Sequence, residues 1–237
     1  DYFDREQDRR ERPSRPLPSG RVAPREAVCL GIGLFVAGVL LARLAGWTSL
    51  LIAICLVAAI LAYDGWLKRT WAGPLAMGTC RFLNVLLGVS ACGSLPWPRG
   101  AYLALIVGLY IVGVTWFART EARLSKQNAL RGAAVVMLVS LLLALPLPVL
   151  LPDGQHSSFL FPYLLVALGF VVGAPVVWAI ANPVPSQVQA AVKRALMGLI
   201  LLDAVLATAT AGAIGLLILL LLAPSLYLNR KSWLYAT

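Results

Sequence analysis

Three aspartates stand at the start of the sequence, Asp1, Asp4 and Asp8, at spacings of three and four. On a helix such positions share one face. Carboxylates crowded together repel one another unless a cation sits among them, and hard oxygen donors on a short segment suit Mg²⁺. The same residues also allow a plainer arrangement, a solvated helix end whose acids pair with Arg5, Arg9 and Arg12. The stretch that follows, Arg12-Pro13-Ser14-Arg15-Pro16-Leu17-Pro18-Ser19-Gly20, carries three prolines, which forbid a continuing helix and stiffen the loop. It holds arginines beside the acids. Carboxylates that bind a metal, next to guanidinium groups that bind phosphate in bidentate fashion, make a site for a metal–diphosphate ligand.

The elements that must position these residues are membrane spans. The 237 residues are 60% hydrophobic with mean hydropathy +0.83, outside the range of soluble globular domains. Eight apolar stretches approach the ~20 residues a helix needs to cross a bilayer. They run over Pro24–Leu44, Ser49–Tyr63, Pro74–Leu95, Ala101–Ala118, Leu130–Leu151, Phe159–Ala181, Ala195–Thr208 and Ala211–Leu228. The expected fold is therefore an all-α, polytopic transmembrane bundle forming a single domain over residues 1–237. The glycines within the spans (Gly31, Gly33, Gly38, Gly169, Gly173, Gly212 and Gly215) are expected at close helix contacts.

Net charge +10 reflects topology and not nucleic-acid binding. With the first loop on the cytoplasmic side, 17 of the 20 Lys and Arg residues fall on that side and only Arg43 and Arg99 on the other, with Arg81 inside a span. That asymmetry follows the positive-inside rule and favours an even number of crossings. The four cysteines lie within spans, show no CxxC spacing, and read as small core residues. No zinc spacing, Ser/His/Asp set, P-loop or dinucleotide fingerprint is present, and His156 reads as a solvated loop residue.

The DxxDxxxD at Asp1–Asp8, followed by the Arg-rich RPLPSG stretch and an apolar span, resembles the first signature of the UbiA superfamily of membrane-embedded prenyltransferases. Tyr63-Asp64-Gly65-Trp66-Leu67-Lys68-Arg69 resembles the tyrosine-then-lysine turn of that family, with one extra residue between Tyr63 and Lys68. Gly73–Gly88 (GPLAMGTCRFLNVLLG) resembles a sub-branch found in bacterial biosynthetic clusters. The resemblance implies a helical bundle around a cavity open to the cytoplasmic side of a bacterial cell membrane. It also implies two further spans upstream of Asp1. By the same resemblance, Asp1, Asp4 and Asp8 hold Mg²⁺ on an isoprenyl diphosphate, and Arg15, Lys68, Arg81 and Asn84 bind the diphosphate. The prenyl group would pass to an aromatic or other lipophilic acceptor in the bilayer.

The family carries a second aspartate-rich motif where this chain has Trp116-Phe117-Ala118-Arg119-Thr120-Glu121-Ala122-Arg123. Glu121 is the one acid left there. It is either an interfacial residue neutralised by Arg119 or Arg123, or the catalytic carboxylate that holds a second Mg²⁺ or orients the acceptor. The competing class is a non-catalytic membrane carrier or scaffold for a lipophilic or anionic metabolite, which keeps the fold and the anion site. Two charges deep in spans, Arg81 and Asp203, are expected to pair with each other, because each alone carries its own insertion penalty. Asp64 and Lys68, four apart, form either a local ion pair or part of the ligand site.

Overall fold

The computed structural model describes residues 2–11, 13–92, 97–119, 127–150 and 158–230, and among them every regular element is a helix. The helices are α1 (Arg5–Glu11), α2 (Pro24–Ala45), α3 (Trp47–Gly65), α4 (Gly73–Cys92), α5 (Trp97–Ala118), α6 (Gln127–Ala144), α7 (Leu147–Leu150), α8 (Phe161–Ala181), α9 (Pro185–Ala211) and α10 (Leu222–Arg230). Among the described residues seven helical stretches are long and apolar enough to cross a membrane: α2, α3, α4, α5, α6, α8 and the run Pro185–Tyr227. The chain is an integral membrane helical bundle.

The boundaries follow local chemistry. Pro24 occupies the first turn of α2, where a missing N–H costs nothing, and the Glu26 carboxylate accepts a hydrogen bond from the Ala23 N–H at 3.0 Å. Gly46 ends α2 with φ +147 and starts α3 at once, so the expected second span lengthens to 19 residues and is long enough to cross. The fifth expected span stops at Ala144, not Leu151, because Pro146 and Pro148 interrupt the helical hydrogen bonds and leave only the short α7.

The last two expected spans are drawn differently by the structure. α9 starts ten residues before Ala195, at Pro185, and ends at Gly212, whose φ of +67 favours a residue without Cβ. Residues Gly212–Leu221 then form a 3₁₀ segment that packs back along α9, with the Cβ position of Gly215 only 2.5 Å from the Ala207 and Thr208 backbone. This segment and α10 together reach about 33 Å, enough for one more crossing of a ~30 Å hydrocarbon core.

The buried core lies among α5, α6, α8 and α9, where Ile106, Tyr110, Phe117, Leu130, Leu168 and Leu202 are essentially inaccessible. Three hydroxyls tie it together across helices. Tyr110 donates to the Ala195 carbonyl at 2.8 Å, Ser140 to Ile106 at 2.8 Å and Tyr102 to Leu143 at 2.6 Å. In hydrocarbon such bonds replace those that water would otherwise supply. Close helix approach does depend on glycine, but mostly at other glycines than expected. A Cβ at Gly78 would lie 2.7 Å from the Gly108 carbonyl oxygen, and one at Gly113 would lie 2.5 Å from Met137 Cγ. Gly33, Gly38, Gly169 and Gly173 instead have nothing within 4 Å, and neither has Gly31, which opens onto the groove beside Asp8 and Arg15. Large exposed apolar side chains on these helices, such as Leu41 of α2 and Val166 of α8, suit contact with lipid.

Candidate functional site

The acidic segment forms one short helix. Asp4 stands immediately before α1, and the Asp8 N–H donates to its carbonyl at 2.8 Å, so the two acids are one turn apart. Asp1 lies outside the described residues. After α1 the prolines force the chain into a compact loop, in which the N–H groups of Ser19, Gly20 and Val22 bond back to Arg15, Leu17 and Pro16. Arg21 closes it by donating to the Ser19 hydroxyl at 3.1 Å and to the Ser14 carbonyl.

This loop delivers Arg15 to Asp8. A single guanidinium nitrogen of Arg15 donates to both carboxylate oxygens, at 2.7 and 2.9 Å, and the Asp8 side chain is only 8% exposed. Neither Arg5 nor Arg9 takes that place. Arg5 instead lies 4.6 Å from the centre of the Tyr2 ring and 3.9 Å from Glu6. Tyr2, Asp8, Arg15, Pro16 and Pro18 line a groove of about 370 Å³ together with Leu30 and Leu34 of α2.

Asp4 is held from the other direction. Between α3 and α4 a 3₁₀ turn, Leu67–Arg69, projects Lys68 onto Asp4 with an N–O distance of 2.5 Å, while Arg69 stands 3.7 Å from the other oxygen. Asp64, one helical turn before Lys68, lies 3.9 Å away, so Lys68 sits between two acids. Burial works against the Asp4 carboxylate, but the Lys68 hydrogen bond and the charges of Lys68 and Arg69 outweigh it and hold its pKa below the ordinary 3.8. Tyr63 is within electrostatic reach of Asp64, Arg119 and Asp4.

Two participants were not identified as such from sequence. Arg69 is one. The other is Arg119, at the end of α5, whose guanidinium donates to the carbonyls of Lys68 (2.9 Å) and Thr70. Gly73 makes room for it, since a Cβ there would meet Arg119 at 3.0 Å and the Lys68 carbonyl at 3.1 Å. The expectation that Arg119 neutralises Glu121 falls on residues 120–126, which lie outside the described residues.

Deeper in the bundle, Arg81 and Asn84 are both exposed on α4 and line a cleft of about 310 Å³ with Leu56, Ile60, Met77 and Cys80. The expected pairing of Arg81 with Asp203 takes a weaker form. The two charges act on each other, but among the described residues no ion pair within 4.0 Å joins them.

The donor set at the mouth fits a hard divalent cation in kind. Two carboxylates one turn apart offer the oxygen ligands that Mg²⁺ takes, beside cations able to share a phosphate ligand with it. Among the described residues no group of three or more His, Cys, Asp or Glu gathers. Asp4 and Asp8 are instead held by Lys68 and Arg15. The arrangement is two sets of opposite charges at α1, Asp8 with Arg15 and Asp4 with Lys68 and Arg69, whose partners an anionic, metal-bearing ligand could exchange.

The family model described as the UbiA prenyltransferase family matches residues 1–190. Curated relatives named digeranylgeranylglyceryl phosphate synthase are also similar. That of Halobacterium salinarum is 33% identical over 186 residues, covering 78% of this chain and 58% of the relative. That of Methanopyrus kandleri is 32% identical over 178 residues, covering 71% and 65%. That of Methanothrix thermoacetophila is 36% identical over 110 residues, covering 46% and 40%. The chain thus spans between 40% and 65% of the length of these relatives. No solved structure matches it.

Proposed function

This chain belongs to the UbiA prenyltransferase family, and we propose that it transfers a prenyl group from an isoprenyl diphosphate to a lipophilic acceptor within the membrane. The observation that carries this reading is the convergence of the acidic segment and the Lys68 turn. Lys68 reaches across 64 positions of sequence to Asp4, beside the Asp8–Arg15 pair. These are the charges needed to hold a diphosphate, gathered at one mouth of an otherwise apolar bundle.

Asp4 and Asp8, with Asp1, are the residues to hold Mg²⁺, and the ion when bound would offset the charge growing on the departing diphosphate. Arg15 and Lys68 neutralise phosphate oxygens, and Arg119 keeps the Lys68 turn in place through its two carbonyl bonds. Breaking the allylic C–O bond leaves a carbocation in apolar surroundings, where the acceptor forms its bond to carbon and loses a proton. Glu121 is the carboxylate assigned to orient the acceptor or support a second ion. The curated relatives are named for making digeranylgeranylglyceryl phosphate, so a prenylated glyceryl phosphate is the first acceptor to test. The excess of Lys and Arg in these loops supports a cytoplasmic mouth. These relatives are archaeal, and the bacterial setting rests on the Gly73–Gly88 resemblance alone.

The test is binding of geranylgeranyl diphosphate to the full-length protein in detergent, followed by calorimetry with Mg²⁺ or with EDTA. Binding should require Mg²⁺ and be largely lost in Asp4→Asn. Equal affinity in both conditions contradicts the metal-bridged reading.

A further inference from the structure

α8 and α9 form a hairpin joined by residues 182–184, and the seam between them holds a groove of about 390 Å³. The closed end of this hairpin stands on the side of the basic loops. Trp116, near the end of α5, packs at Gly132 near the start of α6, and Gln127 of α6 donates to the Ile180 carbonyl of α8 at 2.9 Å. The groove shares no lining residue with the one beside Asp8 and Arg15.

It also faces away from the centre of the bundle. Arg194, in the groove, and Asp203 are nine positions apart on α9, and at ~100° per residue they point to opposite faces. Asp203 is on the side that feels Arg81 of α4. On the outer face Gln187, Ala190 and Arg194 recur at spacings of three and four.

Polarity changes along the groove in one direction. Arg194 lies about 13 Å along α9 from its start, and its stem slopes back toward the helix N-terminus. That brings the guanidinium toward the level of Gln187 and of Trp178, which stands three residues before the end of α8. An exposed Trp at a span end sits at the head-group level of a bilayer. Phe170, about 12 Å deeper on α8, and Val171 are exposed and give the inner end an apolar wall. A cation and an amide at the interface, with apolar wall below, match the order of phosphate and chain in a phospholipid.

Charge selects among phospholipids. Arg194 is exposed and among the described residues has no ion pair within 4.0 Å. α8 carries no charged residue, and the only acid of α9 is Asp203 on the opposite face. A cation on a span normally has a partner, and a net-negative head group supplies one. A zwitterionic head group offsets its phosphate with its own ammonium.

We propose that the α8–α9 groove binds an anionic glycerophospholipid of the leaflet on the basic-loop side. Its phosphate takes the guanidinium of Arg194 and the amide of Gln187, and one chain runs inward past Val171 and Phe170. This binding is independent of prenyl transfer and of the charges at the mouth.

The experiment uses the full-length protein in a maltoside detergent, with bound lipid counted by native mass spectrometry. Dioleoyl phosphatidylglycerol should be retained about 10-fold better than dioleoyl phosphatidylcholine, and inorganic phosphate in large excess should leave it bound. Arg194→Gln should lower retention of phosphatidylglycerol about 10-fold, and Arg194→Lys should recover part of the loss. Arg131→Gln makes the same change of charge on the same side, at an exposed position of α6 outside the groove, and should stay within about 2-fold of wild type. Ala190→Trp keeps the cation but fills the groove, so it should also lower retention, and it carries the comparison if Arg194→Gln does not fold. Equal retention of the two lipids, or equal losses in Arg194→Gln and Arg131→Gln, would overturn the proposal. So would unchanged retention in Ala190→Trp, and displacement by inorganic phosphate would show a site for the free anion instead.

Discussion

Replacing Arg15 with Gln should loosen the acidic segment while leaving the bundle intact. The variant strands Asp8, whose side chain is 8% exposed and whose two oxygens share one guanidinium nitrogen at 2.7 and 2.9 Å. Removing one partner of a fully buried pair costs ~3–5 kcal/mol, whereas a fully exposed pair is worth ~0–1. Arg15 is 21% exposed, which places this pair between those limits, at about 2 kcal/mol and about 30-fold in a local opening equilibrium. Amide hydrogen exchange read by mass spectrometry reports it directly. The amides of Ser19, Gly20 and Val22, which bond within the loop, should exchange about 30-fold faster, and those of α5 and α6 should be unchanged. The double variant Arg15→Gln/Asp8→Asn should exchange more slowly than Arg15→Gln alone, because no charge is then stranded. Exchange within 3-fold of wild type, or a double variant worse than the single, would refute the argument that burial makes this pair matter.

Other perturbations test separate parts of the account. Arg119→Ala removes the donors to the Lys68 and Thr70 carbonyls and should lower turnover about 10-fold, with Arg119→Lys recovering part of it, as steady-state rates will show. Glu121→Gln should also lower turnover at least ~10-fold if this carboxylate serves the reaction, and wild-type rates in that variant would make it an interfacial residue. The Asp4 carboxyl sits below its ordinary 3.8, so the Lys68 contact keeps its full stabilising effect above that pH. It is lost as pH falls through the lowered value, and exchange of the α1 amides in acid should show this in wild type but not in Lys68→Met. Gly113→Ala places a Cβ 2.5 Å from Met137 Cγ and 3.0 Å from the Ala133 carbonyl oxygen and should cost about 1–3 kcal/mol in thermal stability. Gly169→Ala, in open space, should cost nothing measurable.

The spans were legible because a run of about twenty apolar residues has few other uses, and the ends moved where prolines or glycines intervened. Pro146 and Pro148 shorten the fifth span, and Gly46 joins α2 and α3 with no loop between them. The chemistry-bearing residues were legible as types and spacings, since the acid–arginine segment and the Lys68 turn carry their own composition. Their partners were not. Asp8 takes Arg15 and not the nearer Arg5 because the prolines fold the loop back over α1, which no helical spacing rule describes. Lys68 meets Asp4 from 64 residues away, and Arg119 clamps the Lys68 turn from 51 away. Both contacts are fixed by how α3, α4 and α5 stack. The glycines failed for a related reason. Gly38 and Gly113 look alike within their spans, but only at Gly113 would a Cβ meet another described helix within 4 Å. The 3₁₀ form of Gly212–Leu221 had no signal beyond the glycine that starts it.

The most direct test of prenyl transfer is diphosphate release by the purified full-length protein, supplied with geranylgeranyl diphosphate, Mg²⁺ and a glyceryl phosphate amphiphile as acceptor. Release should depend on both the acceptor and Mg²⁺, and Asp4→Asn or Lys68→Met should lower it at least 100-fold, about 2.7 kcal/mol of transition-state stabilisation. Release that is unchanged in Asp4→Asn, or no release from isoprenyl diphosphates of any chain length with any acceptor tried, would contradict the account and favour a membrane carrier.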